Sequence, residues 1–134
     1  MRALLDTNIL IARSSPTERA VDLSGFSRTF VSALTWSELT RGLHATSSLD
    51  HYKERLARID AARHTFGSGL AFDDECFAAY DRILARVSSR GGNVRARVLD
   101  RMIAATAIVH DMTVITRDQS GFAGLEGLVD VEVR

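Results

Sequence analysis

The chain has 134 residues, enough for one domain with a real hydrophobic core. Seventeen Lys and Arg balance seventeen Asp and Glu, so net charge alone implies neither a nucleic-acid nor a membrane partner. The single cysteine, Cys76, excludes an internal disulfide and a thiolate-rich zinc site, fits a reducing cytoplasm, and reads as a small core residue.

Arg2 to Leu5 reads as a first strand that runs directly into Asp6. No basic, apolar and cleavage regions of a signal peptide precede it, so the expected location is cytoplasmic. Thr7 or Asn8 can cap a short helix carrying Ile9, Leu10 and Ala12, which Ser14 to Pro16 breaks. Thr29-Phe30-Val31-Ser32 predicts a second strand. A helix follows, capped by Ser32 or Thr35, with Trp36, Leu39 and Leu43 apolar. Ser47 or Ser48 can cap a longer helix whose stripe of Leu49, Tyr52, Leu56, Ile59 and Phe66 is expected to be buried, with Gly67 at its end. Gly69 to Phe72 is expected to add a third strand. Asp73 and Asp74 open a helix carrying Phe77, Tyr80, Ile83, Leu84 and Val87, and Gly91-Gly92 makes a turn. Val98 to His110 is a largely apolar helix, Thr113 to Thr116 a strand, and Val129 to Val133 a last short strand. The longest apolar run, Met102 to Val109, is interrupted by Thr106 and is far shorter than a membrane span.

Strands alternating with helices predict an α/β fold, with a parallel central sheet flanked by helices on both faces and residues 1–134 in one domain. Ligands of such folds bind beyond the carboxyl ends of the strands. Asp6 and Asp118 stand at those ends, and Glu38 and Asp100 near the starts of helices. Carboxylates gathered there repel one another unless cations neutralise them, which suggests a divalent-metal site and phosphate chemistry. Each acid also has a purely structural explanation. Asp6-Thr7-Asn8 is rich in capping residues, Thr35-x-x-Glu38 matches a capping box, and Asp118 suits a turn. Asp100 is the strongest single clue. It shares a helix face with Ile103, Ala104 and Ala107, and burying an unpartnered carboxylate costs on the order of several kcal/mol. A dipole-favoured acid, or an ion pair with Arg97 or Arg101, is the alternative.

Leu5-Asp6-Thr7-Asn8, Ser37-Glu38-Leu39, Asp100-x-x-Ile103-Ala104-Ala105-Thr106-Ala107 and Thr116-Arg117-Asp118-x-x-x-Phe122 together resemble the PIN-domain nucleases. Within them the chain is most similar to the VapC toxins of VapBC toxin–antitoxin pairs. The resemblance spans almost the whole chain and implies an endoribonuclease that hydrolyses RNA phosphodiester bonds with a water activated by Mg²⁺ or Mn²⁺. It implies catalytic roles for Asp6, Glu38, Asp100 and Asp118, with metal held by Asp6, Asp100 and Asp118, and support from Thr116 and Asn8. It also implies a homodimer and a cognate VapB-type antitoxin, which could bury apolar side chains around Ile9, Leu10, Trp36 and Leu39. Two departures stand out: Arg101 replaces an apolar residue, and Gln119-Ser120-Gly121 lengthens the spacing from Asp118 to Phe122.

The basic residues are skewed, since Lys53 is the only lysine and the other sixteen are arginines, the better residue for bidentate phosphate contact. Arg95, Arg97 and Arg101 near Asp100 read either as an RNA-binding rim or as a solvated surface. His44, His51, His64 and His110 have no metal-ligand spacing. Two other classes remain open: a non-enzymatic Mg²⁺-binding receiver-like module, which lacks its late-strand lysine here, and a catalytically silent PIN scaffold.

Overall fold

Four short apolar runs pair into one parallel sheet in the computed structural model, which describes residues 1–134. They are β1 (Arg2–Leu5), β2 (Arg28–Val31), β3 (Thr113–Thr116) and β4 (Val131–Val133), in the order β2-β1-β3-β4. Leu5 lies beside Val31 on one side and Ile115 on the other. The central strands β1 and β3 do not alternate apolar with polar. Both faces are covered, so nearly every central residue is buried, as in parallel sheets generally.

Five helices complete the fold: α1 (Thr7–Ser14), α2 (Ala33–His44), α3 (Leu49–Phe66), α4 (Asp74–Ser89) and α5 (Val98–His110). The pleat sends Leu4 and Val114 to one face, where they pack with Ala79 and Ile83 of α4 and Ile103, Ala104 and Ala107 of α5. It sends Ala3, Leu5, Val31 and Ile115 to the other face, against Ile9 and Leu10 of α1 and Trp36 of α2. The chain leaves β1 toward β2 on one side and reaches β3 on the other. The carboxyl ends of β1 and β3 therefore border the crevice where ligands bind in open α/β sheets.

Several local expectations need correction. Gly69 to Phe72 does not form a strand; its pairing is a single bridge between Leu70 and Ser32, with Leu70 bonded to Val31 and Ala33 on either side of that residue. The chain turns away immediately afterwards, because Asp73 caps α4 by accepting the Cys76 N–H. Asp6, not Thr7 or Asn8, caps α1, and Ser32, not Thr35, caps α2. The stripe on α3 is not buried: no residue of that helix is, and Leu49 is 67% exposed. Phe77 is likewise 60% exposed, because α4 turns its Cys76, Ala79, Ile83 and Val87 face to the core.

These placements separate positions that look alike in sequence. Leu5→Ala should lower the unfolding free energy by about 2–5 kcal/mol, as expected for a fully buried leucine. Leu49→Ser should change it by no more than about 0.5 kcal/mol. Chemical denaturation of the two variants measures both.

Candidate active site

The parallel pairing of β1 with β3 places Asp6, which follows Leu5, next to Thr116, which follows Ile115. The Asp6 N–H donates to the Ile115 carbonyl at 2.9 Å and continues the ladder by one bond. Its side chain then turns back. Oδ1 accepts the Thr7 N–H at 2.8 Å, and Oδ2 accepts the Thr116 hydroxyl at 2.8 Å. With that proton committed to Asp6, the Thr116 oxygen accepts from Asn8 Nδ2 and from the Asp118 N–H, both at 3.1 Å. Asn8 Oδ1 in turn accepts the Arg117 N–H at 3.0 Å. One buried hydroxyl thus ties the start of α1 to the loop after β3.

The other acids arrive from the helices. Glu38 projects from the middle of α2, and its Oε2 accepts the Thr7 hydroxyl at 2.7 Å. The capping-box explanation for Glu38 fails, because Ser32 caps α2 and the Thr35 hydroxyl is buried without a partner. Asp100 lies in the first turn of α5, half-buried, with Arg97 Nη1 3.9 Å from its Oδ2. Asp118 caps the 3₁₀ turn Gln119–Phe122 by accepting the Ser120 N–H at 2.9 Å and is itself exposed.

The carboxylates stand close enough to feel one another. Burial is the main cause that raises the Asp6 carboxyl above its ordinary pKa; bonds from Thr116 and Thr7 oppose it, and the charges of Asp100 and Glu38 add to it. Burial also raises Asp100, with Arg97 opposing and Glu38 and Asp118 reinforcing. Asp118 is held low by hydrogen bonding from Ser120.

The donor set is entirely hard oxygen, the chemistry that Mg²⁺ or Mn²⁺ prefers. No three acids converge on a single point as the side chains stand. Mg²⁺ does not require that, since it keeps several waters and takes one or two carboxylates. The residues therefore fit a divalent cation by donor type and by their mutual repulsion.

The expected basic rim is only partly present. Arg95 and Arg97 are exposed, and Arg97 sits at φ 55° at the start of α5, a strained backbone for an arginine. Arg101 departs from the expectation. It is 8% exposed, and its Nη1 donates to the Asn93 and Ala96 carbonyls, both at 2.7 Å, which fixes the loop that carries Arg95 and Arg97. Two residues of the site did not stand out in the sequence. Thr7 read only as a cap, and its bond to Glu38 joins residues 31 apart. Gly121 lies against Asp100, and only the lengthened spacing before Phe122 marked it.

Beside the acids, Thr7 and Glu38 border a groove of about 680 Å³ between α1, α2 and α3. Its apolar lining includes Leu10, Ile11, Leu39 and Ile59, and its polar rim Arg41 and Arg58.

The raised carboxyls make stability pH-dependent. A group whose folded pKa is raised stabilises the fold below its unfolded pKa and loses that contribution as pH rises through the folded value. In chelator, wild-type protein should lose stability as pH climbs above the ordinary carboxylate range. Asp6→Asn should flatten that loss and raise the neutral-pH melting temperature by roughly 2–6 °C. Thermal melts in EDTA across pH 4–8 check this, and a variant that tracked wild type would count against a raised Asp6 carboxyl.

A family model described as the PIN domain matches residues 3–127. Ribonuclease VapC5 of Mycobacterium tuberculosis is 30% identical over 130 residues, covering 97% of this chain and 92% of that protein. Toxin FitB of Neisseria gonorrhoeae is 32% identical over 126 residues, covering 89% of each. Among solved structures, the VapBC-5 toxin–antitoxin complex of M. tuberculosis superposes with a TM-score of 0.79 at 28% identity, covering 98% of this chain and 96% of that one.

Proposed function

The chain belongs to the PIN-domain family, and from that membership we propose that it is a VapC-type endoribonuclease, the toxin of a toxin–antitoxin pair. The observation that carries the reading is the gathering of Asp6, Glu38, Asp100 and Asp118 at the carboxyl ends of β1 and β3, close enough to repel. Such repulsion is unfavourable in the free protein and useful to one that loads a cation.

In this reading Asp6, Asp100 and Asp118 hold Mg²⁺ or Mn²⁺. A cation held there would supply charge neutralisation for the phosphodiester and would activate water. The remaining roles belong to the chain. Thr116 fixes the Asp6 carboxylate and, through Asn8, the loop carrying Asp118. Glu38 is aimed by Thr7 and is available to accept a proton near the scissile phosphate. Arg95 and Arg97 provide the RNA-facing charge, and Arg101 holds their loop.

The groove beside Glu38 suits an antitoxin segment. Relatives of this fold are solved as toxin–antitoxin complexes, and the groove is apolar along its floor and basic at its rim. The residues that offer contact are Ile11, Leu39 and Ile59, while Leu10 lines the groove but is 5% exposed and belongs mainly to the core. Ile9 and Trp36, expected to take part, are 0% and 6% exposed and belong to the core. A homodimer is part of the same reading, and sedimentation of the purified toxin decides it.

RNA cleavage should require Mg²⁺ or Mn²⁺ and stop with EDTA. Asp6→Asn, Asp100→Asn, Asp118→Asn and Glu38→Gln should each cut the rate by at least about 100-fold while remaining folded. Near-normal cleavage by any of them removes that residue from the site. Expression alone should arrest growth, and the cognate antitoxin should restore it. Ile59→Asp should weaken antitoxin binding at least ~10-fold and leave RNA cleavage intact, since Ile59 lines the groove from α3, a helix that supplies none of the four acids. Unchanged affinity in that variant would move the antitoxin to another surface.

A further inference from the structure

The 3₁₀ turn Gln119–Phe122 lies directly on the Asp100 carboxylate. A Cβ placed on Gly121 would stand 2.5 Å from Asp100 Oδ2 and 2.9 Å from its Cγ. Real Cβ atoms essentially never approach that closely, so not even alanine fits without movement. Conformation does not explain the glycine, since Gly121 is not among the residues with positive φ. The requirement is space.

The turn has little freedom to yield, whereas the Asp100 carboxylate has more. Phe122 and Leu125, just beyond Gly121, are 4% and 1% exposed and sit in the larger core. The near end of the turn is pinned by the Asp118 cap on Ser120 and by the Asp118 N–H to Thr116. The Asp100 backbone is held in the first turn of α5, but its carboxylate is the free end of a side chain with only the Arg97 guanidinium, at 3.9 Å, beside it. Added bulk at position 121 would therefore be relieved chiefly by swinging the Asp100 carboxylate.

We infer that Gly121 is a positioning residue: its missing side chain sets where the Asp100 carboxylate stands relative to Asp118 and Asp6. The inference rests on the reading of Asp100 as a metal-holding acid, but the steric coupling between Gly121 and Asp100 does not.

The test compares wild type, Gly121→Ala, Asp100→Ala and the double variant in two measurements. The first is Mn²⁺ binding by calorimetry. Gly121→Ala should weaken it roughly 10- to 100-fold, the usual effect of disturbing a ligand's support. The second is the melting temperature in EDTA, which needs no metal. Gly121→Ala should lower it, and in the Asp100→Ala background that drop should shrink to about half or less, because the clashing group is gone. Gly69→Ala is the control: a Cβ there meets Ala33 and Trp36 instead, so its penalty should be the same in both backgrounds. Mn²⁺ affinity unchanged within about twofold, or an equal drop in both backgrounds, overturns the inference. Should Gly121→Ala alone fail to fold, a folded double variant supports it and an unfolded one overturns it. Failure of wild type to bind Mn²⁺ sinks the metal reading and with it the metal-positioning role, while the EDTA cycle still judges the steric coupling.

Discussion

The register of β1 against β3 is the constraint on which the site depends. Pairing Leu5 with Ile115 sends both side chains into the same core and makes Asp6 and Thr116 adjacent at the strand ends. A slip of one residue would turn Leu5 toward the wrong face and take Asp6 away from the hydroxyl that holds it. The hydrophobic core and the carboxylate site are therefore set by the same pairing. Core packing enforces a register that the acids, left to repel one another, would not choose.

The cost of that arrangement is partly offset where each acid sits. Asp6 takes the first amide of α1, Asp100 occupies the first turn of α5, and Asp118 takes an amide of the 3₁₀ turn. Negative charge is favoured at each of these positions by unsatisfied N–H groups and the helix dipole. These interactions make the acids tolerable without neutralising them, and burial still raises both Asp6 and Asp100. A fold optimised for stability alone would replace such a cluster. Local conflict of this kind is where function is expected.

Much of this was legible in the sequence, and the limits have physical causes. β1 and β3 were read to the residue, because each run is of strand length, too short for a buried helix, and ends at a polar residue. All four acids could be placed near one end of the sheet from topology alone. What periodicity could not supply was the depth of burial. On α3 the apolar stripe splits, with Ile59 on the groove, Phe66 against the edge of the core and Leu49 exposed, and the pattern in sequence is the same in each case. Arg101 misled for the opposite reason. Its charge suggested surface, whereas its guanidinium satisfies two backbone carbonyls inside the protein. Thr7 with Glu38, and Gly121 with Asp100, are contacts between distant segments whose residue types signal nothing by themselves.

Helix α2 shows how the core, the site and the groove are kept in step. Successive residues on a helix are turned by roughly 100°, so a few positions reach several surfaces. Trp36 goes into the core beneath β1 and β2, Glu38 meets Thr7 at the acids, and Leu39 faces the groove. The core side chain fixes the helix's rotation, and that rotation decides where the other two point. A segment seated on Leu39 must then lie beside Glu38, since both are carried by one rigid turn. Occupation of the groove and access to the acids are in this way coupled by geometry alone, with no conformational change required to connect them.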